Sequence, residues 1–552
     1  MSRQAFATIL AVFLVQGVVS TASAGHPMAE LPRVPPEGIE GSLVIVGGGR
    51  MPDVILERFL DLAGGEGARL VVIPTAGASA GREGEVEELV ELWNGRGFAA
   101  VEVLHTRDRD QADDPDFVAP LKEATAVWFN GGIQSRIADA YLGTAVEREV
   151  LALMKRGGVV GGTSAGAAIQ SRLMIAGGNP QARLAEGFDL LPDAVVDQHF
   201  LARNRKPRLL GVIERNPGFF GVGIDEGTAL VVRGRTMRVI GNSTVTVILG
   251  ASDSRPVQEI ELRANGRPAD LTALRRAARD RSLQPYPPET LDAPKVESGS
   301  LVIVGGGGMP LEVVRRFIDL AGGPDATIVV VPTAEGGPIP EDSGRVSGVS
   351  MFTRAGARNV RVLYGTTPEE IETPEQVELL EQAGGIWFGG GRQWRFVDAY
   401  EGTRIVDLFH DVLGRGGVIG GSSAGATIQG DYLVRGNPLG NTDMMADGYE
   451  RGFAFLPGVA IDQHFAQRRR FDDLAGVVDR FPQILGIGID EATALIVEGS
   501  VAEVIGQGEA HFYDRSQPVA EGWPNILTIP AGGRYELVDR AAIEEDGATN
   551  PK

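Results

Sequence analysis

The 552-residue chain contains no cysteine. A disulfide framework, a thiolate metal site and a cysteine nucleophile are therefore excluded. Positive charge is also scarce, because 52 basic side chains stand against 73 acidic ones and give a formal net charge of −21. Since nucleic-acid binding needs clustered Lys and Arg against the phosphate backbone, we expect no nucleic-acid partner.

Long hydrophobic runs are confined to the N-terminus. Residues 5–19 are almost wholly apolar, and the small residues Ala22, Ser23 and Ala24 follow them. This layout predicts a secretory signal peptide over 1–24, so we expect a secreted or periplasmic protein with no membrane contact after cleavage. The alternative is an uncleaved anchor, but the run is shorter than the roughly 20 residues that span a bilayer.

Glycine is abundant, at 76 residues, and much of it lies in segments that occur twice. The repeated segments are GSLVIVGGG at 41–49 and 299–307, GGTSAGA or GGSSAGA at 161–167 and 420–426, DQHF at 197–200 and 462–465, and GIDE at 223–226 and 488–491. Such self-similarity predicts a tandem duplication. We place the two units at 41–268 and 299–540, joined by a connecting segment over 269–298.

Within each unit, short apolar runs alternate with helical patterns. In the first unit the runs are LVIVGGG, LVVIPTA, VEVLHT, AVWFNGG and GVVGGTSAG, and helical patterns cover 82–95 and 144–155. Runs without polar alternation are typical of strands buried on both faces. We therefore predict two tandem three-layer α/β domains with mostly parallel sheets, whose sites lie at the carboxyl ends of the strands.

The most specific local pattern is GTSAG at 162–166, with its counterpart GSSAG at 421–425. A serine between small residues, after a strand and before a helix, can present its hydroxyl as a nucleophile. The alternative is a helix start or phosphate loop in which the serine only caps. Because the pattern occurs at the same place in both units, we favour Ser164 and Ser423 as nucleophiles.

A nucleophilic serine needs a base, and histidine is scarce. The six histidines are His26, His105, His199, His410, His464 and His511. His199 and His464 alone occupy matching positions of the two units, both within DQHF. We predict them to be the bases, the alternative being satisfied core histidines.

A glycine loop follows the strand AVWF in the first unit and its counterpart in the second. Backbone N–H groups of such a loop, with that of the residue after the serine, can stabilise an oxyanion. The candidates are Gly131, Gly132 and Ala165 in the first unit and Gly390, Gly391 and Ala424 in the second.

Together, GTSAGA, FNGGIQSRI, DQHFLARNRKPRL and GIDEGTAL resemble the cyanophycinases, in the peptidase family that also contains the aspartyl dipeptidases. The resemblance covers about 200 residues of each unit. It implies a class I glutamine-amidotransferase-like fold and a serine hydrolase that acts on β-Asp-Arg linkages. The family is active as a dimer, so the tandem is expected to form an internal pseudo-dimer.

The resemblance also implies substrate-binding residues. These are Gln134, Asp197, Gln198, Arg203, Arg205 and Arg208 in the first unit, and Gln393, Asp462, Gln463, Arg468 and Arg470 in the second. Guanidinium groups suit the carboxylates of an aspartate-rich chain. The second unit has Asp473 in place of the third arginine, where an acid would repel a substrate carboxylate or else hold an arginine.

Neither unit shows an evident carboxylate to orient the histidine. The family's acid is expected between the serine and the histidine, which makes Glu186 the nearest candidate in the first unit and Asp443 a candidate in the second.

The sequence thus predicts an exported serine exopeptidase that releases β-Asp-Arg dipeptides from cyanophycin, without cofactor or metal. Two alternatives remain. One is an aspartyl or isoaspartyl dipeptidase of the same fold, and the other is a binding protein whose catalytic residues have decayed.

Overall fold

The computed structural model describes residues 26–516 and 526–544. The predicted signal peptide, residues 1–24, lies outside them. Within the described ranges, no helix has the length and apolar character needed to cross a membrane.

The first unit alternates strands and helices. Its strands are β1 (Ile39–Val46), β2 (Arg69–Ile73), β3 (Ala100–Val103), β4 (Ala126–Phe129), β5 (Val159–Thr163), β6 (Leu173–Gly177), β7 (Arg183–Glu186), β8 (Ala194–Gln198), β9 (Phe220–Ile224), β10 (Thr228–Gly234), β11 (Thr236–Gly241), β12 (Thr244–Leu249), β13 (Gln258–Arg263) and β14 (Ala269–Asp270). Its helices are α1 (Asp53–Ala63), α2 (Glu85–Asn94), α3 (Arg109–Ala112), α4 (Ala119–Glu123), α5 (Gln134–Tyr141), α6 (Ala145–Lys155), α7 (Ala165–Ala168), α8 (Lys206–Arg215) and α9 (Leu271–Arg281).

The second unit follows a similar order, with one strand in place of β6 and β7. Its strands are β15 (Ser300–Val304), β16 (Thr327–Val331), β17 (Asn359–Val362), β18 (Gly385–Phe388), β19 (Val418–Ser422), β20 (Gly430–Tyr432), β21 (Leu456–Gln463), β22 (Leu485–Ile489), β23 (Thr493–Glu498), β24 (Val501–Gly506), β25 (Glu509–Tyr513), β26 (Leu527–Pro530), β27 (Arg534–Glu536) and β28 (Ala541–Ile543). Its helices are α10 (Leu311–Leu320), α11 (Ser347–Ala355), α12 (Pro368–Ile371), α13 (Pro374–Glu381), α14 (Trp394–Tyr400), α15 (Ile405–Gly414), α16 (Ala424–Thr427) and α17 (Phe471–Arg480).

The large sheet of each unit has a parallel part in the order β3-β2-β4-β5-β1 or β17-β16-β18-β19-β15. In the first unit these are the five strands that the apolar runs predict, and α2 and α6 lie within the two predicted helical segments. The predicted α/β fold is confirmed. Antiparallel strands, which the sequence patterns did not predict, extend each sheet beyond β1 and β15.

A second, smaller sheet in each unit is built from segments that follow α7 or α16. In the first unit its order is β13-β12-β9-β8, and in the second it is β20-β21-β22-β25-β26. The strands β8 and β9 are parallel, as are β21 and β22, so the carboxyl ends of each pair lie side by side.

The large sheet is buried on both faces. Successive residues of a strand point to opposite faces, and on β1 Leu43 and Ile45 pack in one apolar cluster while Val44 and Val46 pack in another. All four side chains are fully buried. This is why the strand sequence shows no polar alternation.

The predicted connecting segment over 269–298 is not a simple linker. It begins with β14, which pairs with β11 of the first unit, and continues as α9, which is buried between the units. Arg276 on α9 is fully buried against Glu401 of the second unit, and Arg279 donates to the same carboxylate at 2.8 Å. These ion pairs offset the cost of burying the arginines of the segment.

The unit boundaries shift accordingly. The sheet of the first unit extends past residue 268 to β14, and that of the second extends past residue 540 to β28. The segment before the first unit also crosses to the second, because Arg33 donates to the carbonyl oxygens of Asp398 and Glu401 at 3.0 and 2.8 Å.

Candidate active site

Each candidate serine lies at a sharp turn between a parallel strand and a short helix. Ser164 joins β5 to α7, and Ser423 joins β19 to α16. Their φ angles are +54° and +57°, a conformation that residues with a side chain rarely adopt. Backbone strain of this kind clusters at functional sites, and here it presents each hydroxyl at the carboxyl edge of the sheet.

The glycines on either side of each serine are required by close backbone contacts. A Cβ on Gly162 would lie 2.3 Å from the carbonyl oxygen of Gly166, and one on Gly166 would lie 2.1 Å from that of Phe129. The second unit has the same two close approaches, at Gly421 and Gly425. The repeated GxSxG pattern therefore reflects the packing of this turn.

The small sheet places a histidine next to each serine. His199 Nε2 lies 2.9 Å from Ser164 Oγ, and His464 Nε2 lies 3.0 Å from Ser423 Oγ. Each histidine follows the last residue of its strand, β8 or β21. The backbone N–H of His199 donates to the carbonyl oxygen of Gly47 at 2.7 Å, which ties the small sheet to the end of β1.

A glutamate contacts the other nitrogen of each imidazole. Glu226 Oε1 lies 2.5 Å from His199 Nδ1, and Glu491 Oε1 lies 2.6 Å from His464 Nδ1. The glutamates end the GIDE segments, whose first two residues are the last two of β9 and β22. Because each of these strands is parallel to its histidine-bearing neighbour, the two side chains emerge at one edge. The result is a Ser-His-Glu constellation of the hydrolase triad type.

The expectation that Glu186 or Asp443 orients the histidine is wrong. Glu186 is exposed on β7, and the exposed Asp443 accepts a hydrogen bond from Asn437. The glutamate that contacts each histidine follows it by 27 residues. The sequence did hold a signal for it, since GIDE recurs at the same interval of 265 positions as DQHF.

The glycines that follow β1, at residues 47–49, were not predicted to belong to the site, but they make room for the histidine and the glutamate. A Cβ on Gly48 would lie 2.3 Å from His199 Cε1, and one on Gly49 would lie 2.8 Å from Glu226 Cβ. In the second unit, Gly306 approaches its histidine in the same way. The repeated GSLVIVGGG segment therefore belongs to the site, because its backbone lies directly against the imidazole.

Burial lowers the pKa of His199, and the Glu226 carboxylate opposes this effect. The positive charges of Arg203 and Arg205 lower it further. The pKa of His464 is lowered for the same reasons. A lowered pKa keeps the imidazole neutral at neutral pH, which is the form that accepts a proton from serine.

The glycine loop that follows β4, with Gly131 and Gly132, lies beside Ser164. A Cβ on Gly131 would lie 3.5 Å from Ser164 Cβ, and the close approach of Gly132 to the carbonyl oxygen of Ala76 excludes a side chain there. The backbone N–H groups of Gly132 and Ala165 donate to no other described residue. Gly390, Gly391 and Ala424 occupy the corresponding positions of the second unit.

Gln134 and Gln393 bind the protein backbone. Gln134 Nε2 donates to the carbonyl oxygen of Ile175 at 2.6 Å, and Gln393 Nε2 donates to that of Val434 at 2.8 Å. Both glutamines are buried. The geometry gives them a role in positioning the segment after the nucleophile helix.

Two of the three arginines of the first unit form an internal ionic cluster with Asp197. Arg208 Nε donates to Asp197 Oδ2 at 2.9 Å, and its Nη2 contacts Oδ1. Arg205 lies 3.5 Å from Asp197 and donates to the carbonyl and side-chain oxygens of Gln198. Since Asp197 is fully buried, these guanidinium groups compensate its charge directly behind His199.

The second unit builds the same cluster with an arginine from another place in the chain. Arg435, which follows β20, donates to both oxygens of Asp462 at 3.0 Å, and Arg470 binds the same carboxylate at 2.7 Å. Asp473, at the position of the third arginine, accepts from Arg435 at 2.6 Å. Asp473 was expected either to repel a substrate carboxylate or to hold an arginine, and the structure supports the second role. Gln463 is buried, and its carbonyl oxygen accepts from Arg470.

Arg203 and Arg468 differ from the other arginines of the site. Both are exposed, and neither has an ion pair or side-chain hydrogen bond within residues 26–516 and 526–544. Each lies close enough to its histidine to lower the pKa of that group. They are therefore the arginines of the predicted set that remain available to a substrate.

Known proteins are similar to both units of this chain. The model of Peptidase family S51 matches residues 43–240 and again 301–505. The chain is 35% identical over 230 residues to a cyanophycinase of Geminocystis herdmanii (strain PCC 6308), which covers 39% of this chain and 83% of the relative. It is 34% identical over 231 residues to a cyanophycinase of Nostoc sp. (strain PCC 7120 / SAG 25.82 / UTEX 2576), over 39% of this chain and 75% of that relative. Among solved structures, a peptidase from an acI-B1 Actinobacterium is 27% identical with a TM-score of 0.34, over 42% of this chain and 98% of that one.

Proposed function

Because the chain belongs to peptidase family S51 as a tandem duplication, and is a serine-type peptidase, we propose that both of its units hydrolyse cyanophycin. Cyanophycin has a polyaspartate backbone with an arginine on each side chain, and the proposed product is the β-Asp-Arg dipeptide. The observation that carries the proposal is the presence of two complete Ser-His-Glu constellations in segments that match this family.

The proposed reaction begins at the serine hydroxyl. Ser164 Oγ attacks the carbonyl carbon of the scissile bond while His199 Nε2 takes its proton, and Glu226 stabilises the imidazolium through Nδ1. The backbone N–H groups of Gly132 and Ala165 are proposed to receive the oxyanion. The imidazolium then protonates the leaving amine, and water hydrolyses the acyl-enzyme by the reverse proton path.

Substrate recognition is proposed to rest on the two exposed arginines. Among the residues that the structure describes, Arg203 and Arg468 have no ion-pair partner and lie at the edge of the triads, where a carboxylate-rich polymer offers them charge-assisted hydrogen bonds. Arg205, Arg208 and Arg470 are already engaged with Asp197 or Asp462, so we assign them a positioning role.

We also propose that the protein is exported and acts outside the cytoplasm. The support is the apolar run at 5–19 followed by Ala22, Ser23 and Ala24. N-terminal sequencing of protein from its native host is expected to start near Gly25, and an intact Met1 in the cytosolic fraction would contradict export.

The test of hydrolysis is incubation of the full-length mature protein with purified cyanophycin, followed by mass spectrometry of the products. We expect β-Asp-Arg as the main product and none from the double variant Ser164→Ala/Ser423→Ala. Cleavage of short isoaspartyl peptides without polymer degradation would favour the dipeptidase alternative. Polymer binding without any product would favour the decayed binding protein.

A further inference from the structure

Three side chains with metal-ligating atoms come together at the small sheet of the second unit, outside the triad. Asp490, Glu509 and His511 each offer one ligand atom, and these atoms all lie within 4.8 Å of one another. The antiparallel pairing of β22 with β25 brings them together, because it sets Ile489 opposite Ala510 and Gly488 opposite His511. Glu509 and His511 are two residues apart on β25 and therefore share a face.

One ring nitrogen of His511 makes no hydrogen bond within the described residues. His511 is only 3% exposed, and the nitrogen without a partner is its Nε2. That nitrogen lies 3.4 Å from Asp490 Oδ1. The other nitrogen, Nδ1, lies 3.0 Å from Thr528 Oγ1. Metal-binding histidines typically donate their second ring nitrogen to such an oxygen, which leaves the first free to bind the ion.

The first unit lacks this cluster at the same place. Its Asp225 accepts a hydrogen bond from Ser243 Oγ at 2.9 Å, and the positions of Glu509 and His511 are taken by Thr244 and Thr246. In the second unit Gly508 replaces the serine, and Asp490 Oδ2 accepts the backbone N–H of Glu509 at 3.3 Å. The side chains beside the aspartate thus change from hydroxyls to a carboxylate and an imidazole.

We propose that Asp490, Glu509 and His511 form a binding site for a divalent transition-metal ion of the zinc type. One imidazole and two carboxylates suit such an ion. Ligands at about 2.0–2.2 Å in tetrahedral geometry are separated by about 3.4 Å, the distance between His511 Nε2 and Asp490 Oδ1. Glu509 is exposed, so its side chain is free to adjust to the ion and leaves a position open to solvent.

The site lies behind the triad of the second unit. Asp490 directly precedes Glu491, which contacts His464, and its Oδ1 accepts the backbone N–H of Ala466 at 2.9 Å. An ion on Asp490 would therefore stiffen the two turns that carry the glutamate and the histidine. It would not touch Ser423, so its role is structural.

The test is isothermal titration of the chelator-treated full-length chain with zinc chloride, in the absence of substrate. We expect the wild type to bind one more equivalent of zinc than His511→Thr, which installs the residue found in the first unit. Glu509→Gln, an exposed substitution that leaves the core intact, is expected to weaken that equivalent at least tenfold. His105→Gln, in the first unit, is the matched control and is expected to bind as the wild type does.

Equal stoichiometry and affinity in the wild type, His511→Thr and Glu509→Gln would overturn the proposal, as would the absence of zinc binding in the wild type. The measurement involves no hydrolysis, so its outcome is independent of the proposed peptidase activity.

Discussion

The two units reach the same active-site geometry with differently placed charges. Their Ser-His and His-Glu distances agree within 0.1 Å. Behind the histidine, however, the first unit holds its buried aspartate with Arg208 from α8, and the second holds it with Arg435 from the segment after β20. The equivalent of Arg435 in the first unit is Ala176. An arginine has thus moved from one element to another while the cluster around the aspartate stays the same.

This difference shows why a substitution is best judged by its neighbours in space. Read along the chain, Asp473 in place of an arginine is a charge reversal in a carboxylate-binding site. In the structure the loss of an arginine at this position is matched by the gain of Arg435, and the Asp473 carboxylate binds that arginine. The Asp473 carboxylate is therefore engaged by Arg435 and is not left free to repel a substrate carboxylate.

The largest expected effect concerns the glutamates that the two units share. In a Ser423→Ala background, Glu226→Gln is expected to lower kcat about 10⁴-fold, because an amide stabilises neither the tautomer nor the imidazolium that the reaction needs. Glu491→Gln is expected to do the same in a Ser164→Ala background. Initial rates of dipeptide release from cyanophycin measure both.

The matched controls are Glu186→Gln and Asp443→Asn, which replace the acids first expected beside the histidines. Both are expected to leave the rates unchanged. If instead Glu186→Gln silences the first unit while Glu226→Gln does not, the triad assigned here is incorrect.

The nucleophile turn and the parallel strands follow from patterns within a few residues, repeated in both units. The serine-histidine pairs are not local, since 35 or 41 residues separate their members, but a nucleophilic serine needs a base and histidine is scarce, so the partner could be chosen by its chemistry. The contact between His199 and Glu226 is made by two neighbouring strands, so its partner is visible only through the matching intervals of DQHF and GIDE. The exchange of Arg208 for Arg435 leaves no local pattern, because the two arginines belong to elements that meet only in the folded unit.

The second prediction tests that exchange directly. Arg435→Ala leaves the buried Asp462 with Arg470 as a partner, and breaking a buried ion pair costs about 3–5 kcal/mol. We expect a lower Tm and a lower rate of the second unit in a Ser164→Ala background. The double variant Arg435→Ala/Asp473→Arg recreates the arrangement of the first unit and is expected to recover most of both.

The reciprocal pair in the first unit is the control. Arg208→Asp is expected to be damaging, and Ala176→Arg/Arg208→Asp is expected to restore the rate in a Ser423→Ala background. Failure of both double variants to improve on their single variants would show that the two arginines are not equivalent.

The third prediction concerns the balance between the units. Because the triad distances are nearly identical, Ser164→Ala and Ser423→Ala are each expected to retain roughly half of the wild-type kcat, as independent sites would. Steady-state rates at saturating polymer measure this. Complete loss of activity in one single variant would show that only one unit turns over, despite the matching geometry.

The smallest expected effect separates the two sites by their pH profiles. Arg203 lowers the pKa of His199, and Arg468 lowers that of His464, because a nearby positive charge disfavours the imidazolium. The neutral histidine is the base, so kcat/KM falls as the pH drops through the pKa of the free enzyme. Removing the positive charge with Arg203→Gln raises that pKa, and the acid limb of the first unit is expected to move to higher pH. The acid limb of the second unit is expected to stay in place until Arg468→Gln is made.

Both shifts are expected to shrink at high salt, since the two arginines are exposed and their charges are screened. The measurement is the kcat/KM profile of each unit in the background of the other unit's serine variant, with the exposed Arg238→Gln on β11 as the control. A limb that stays fixed in Arg203→Gln, or moves equally in Arg238→Gln, would show that the arginine does not act on the base.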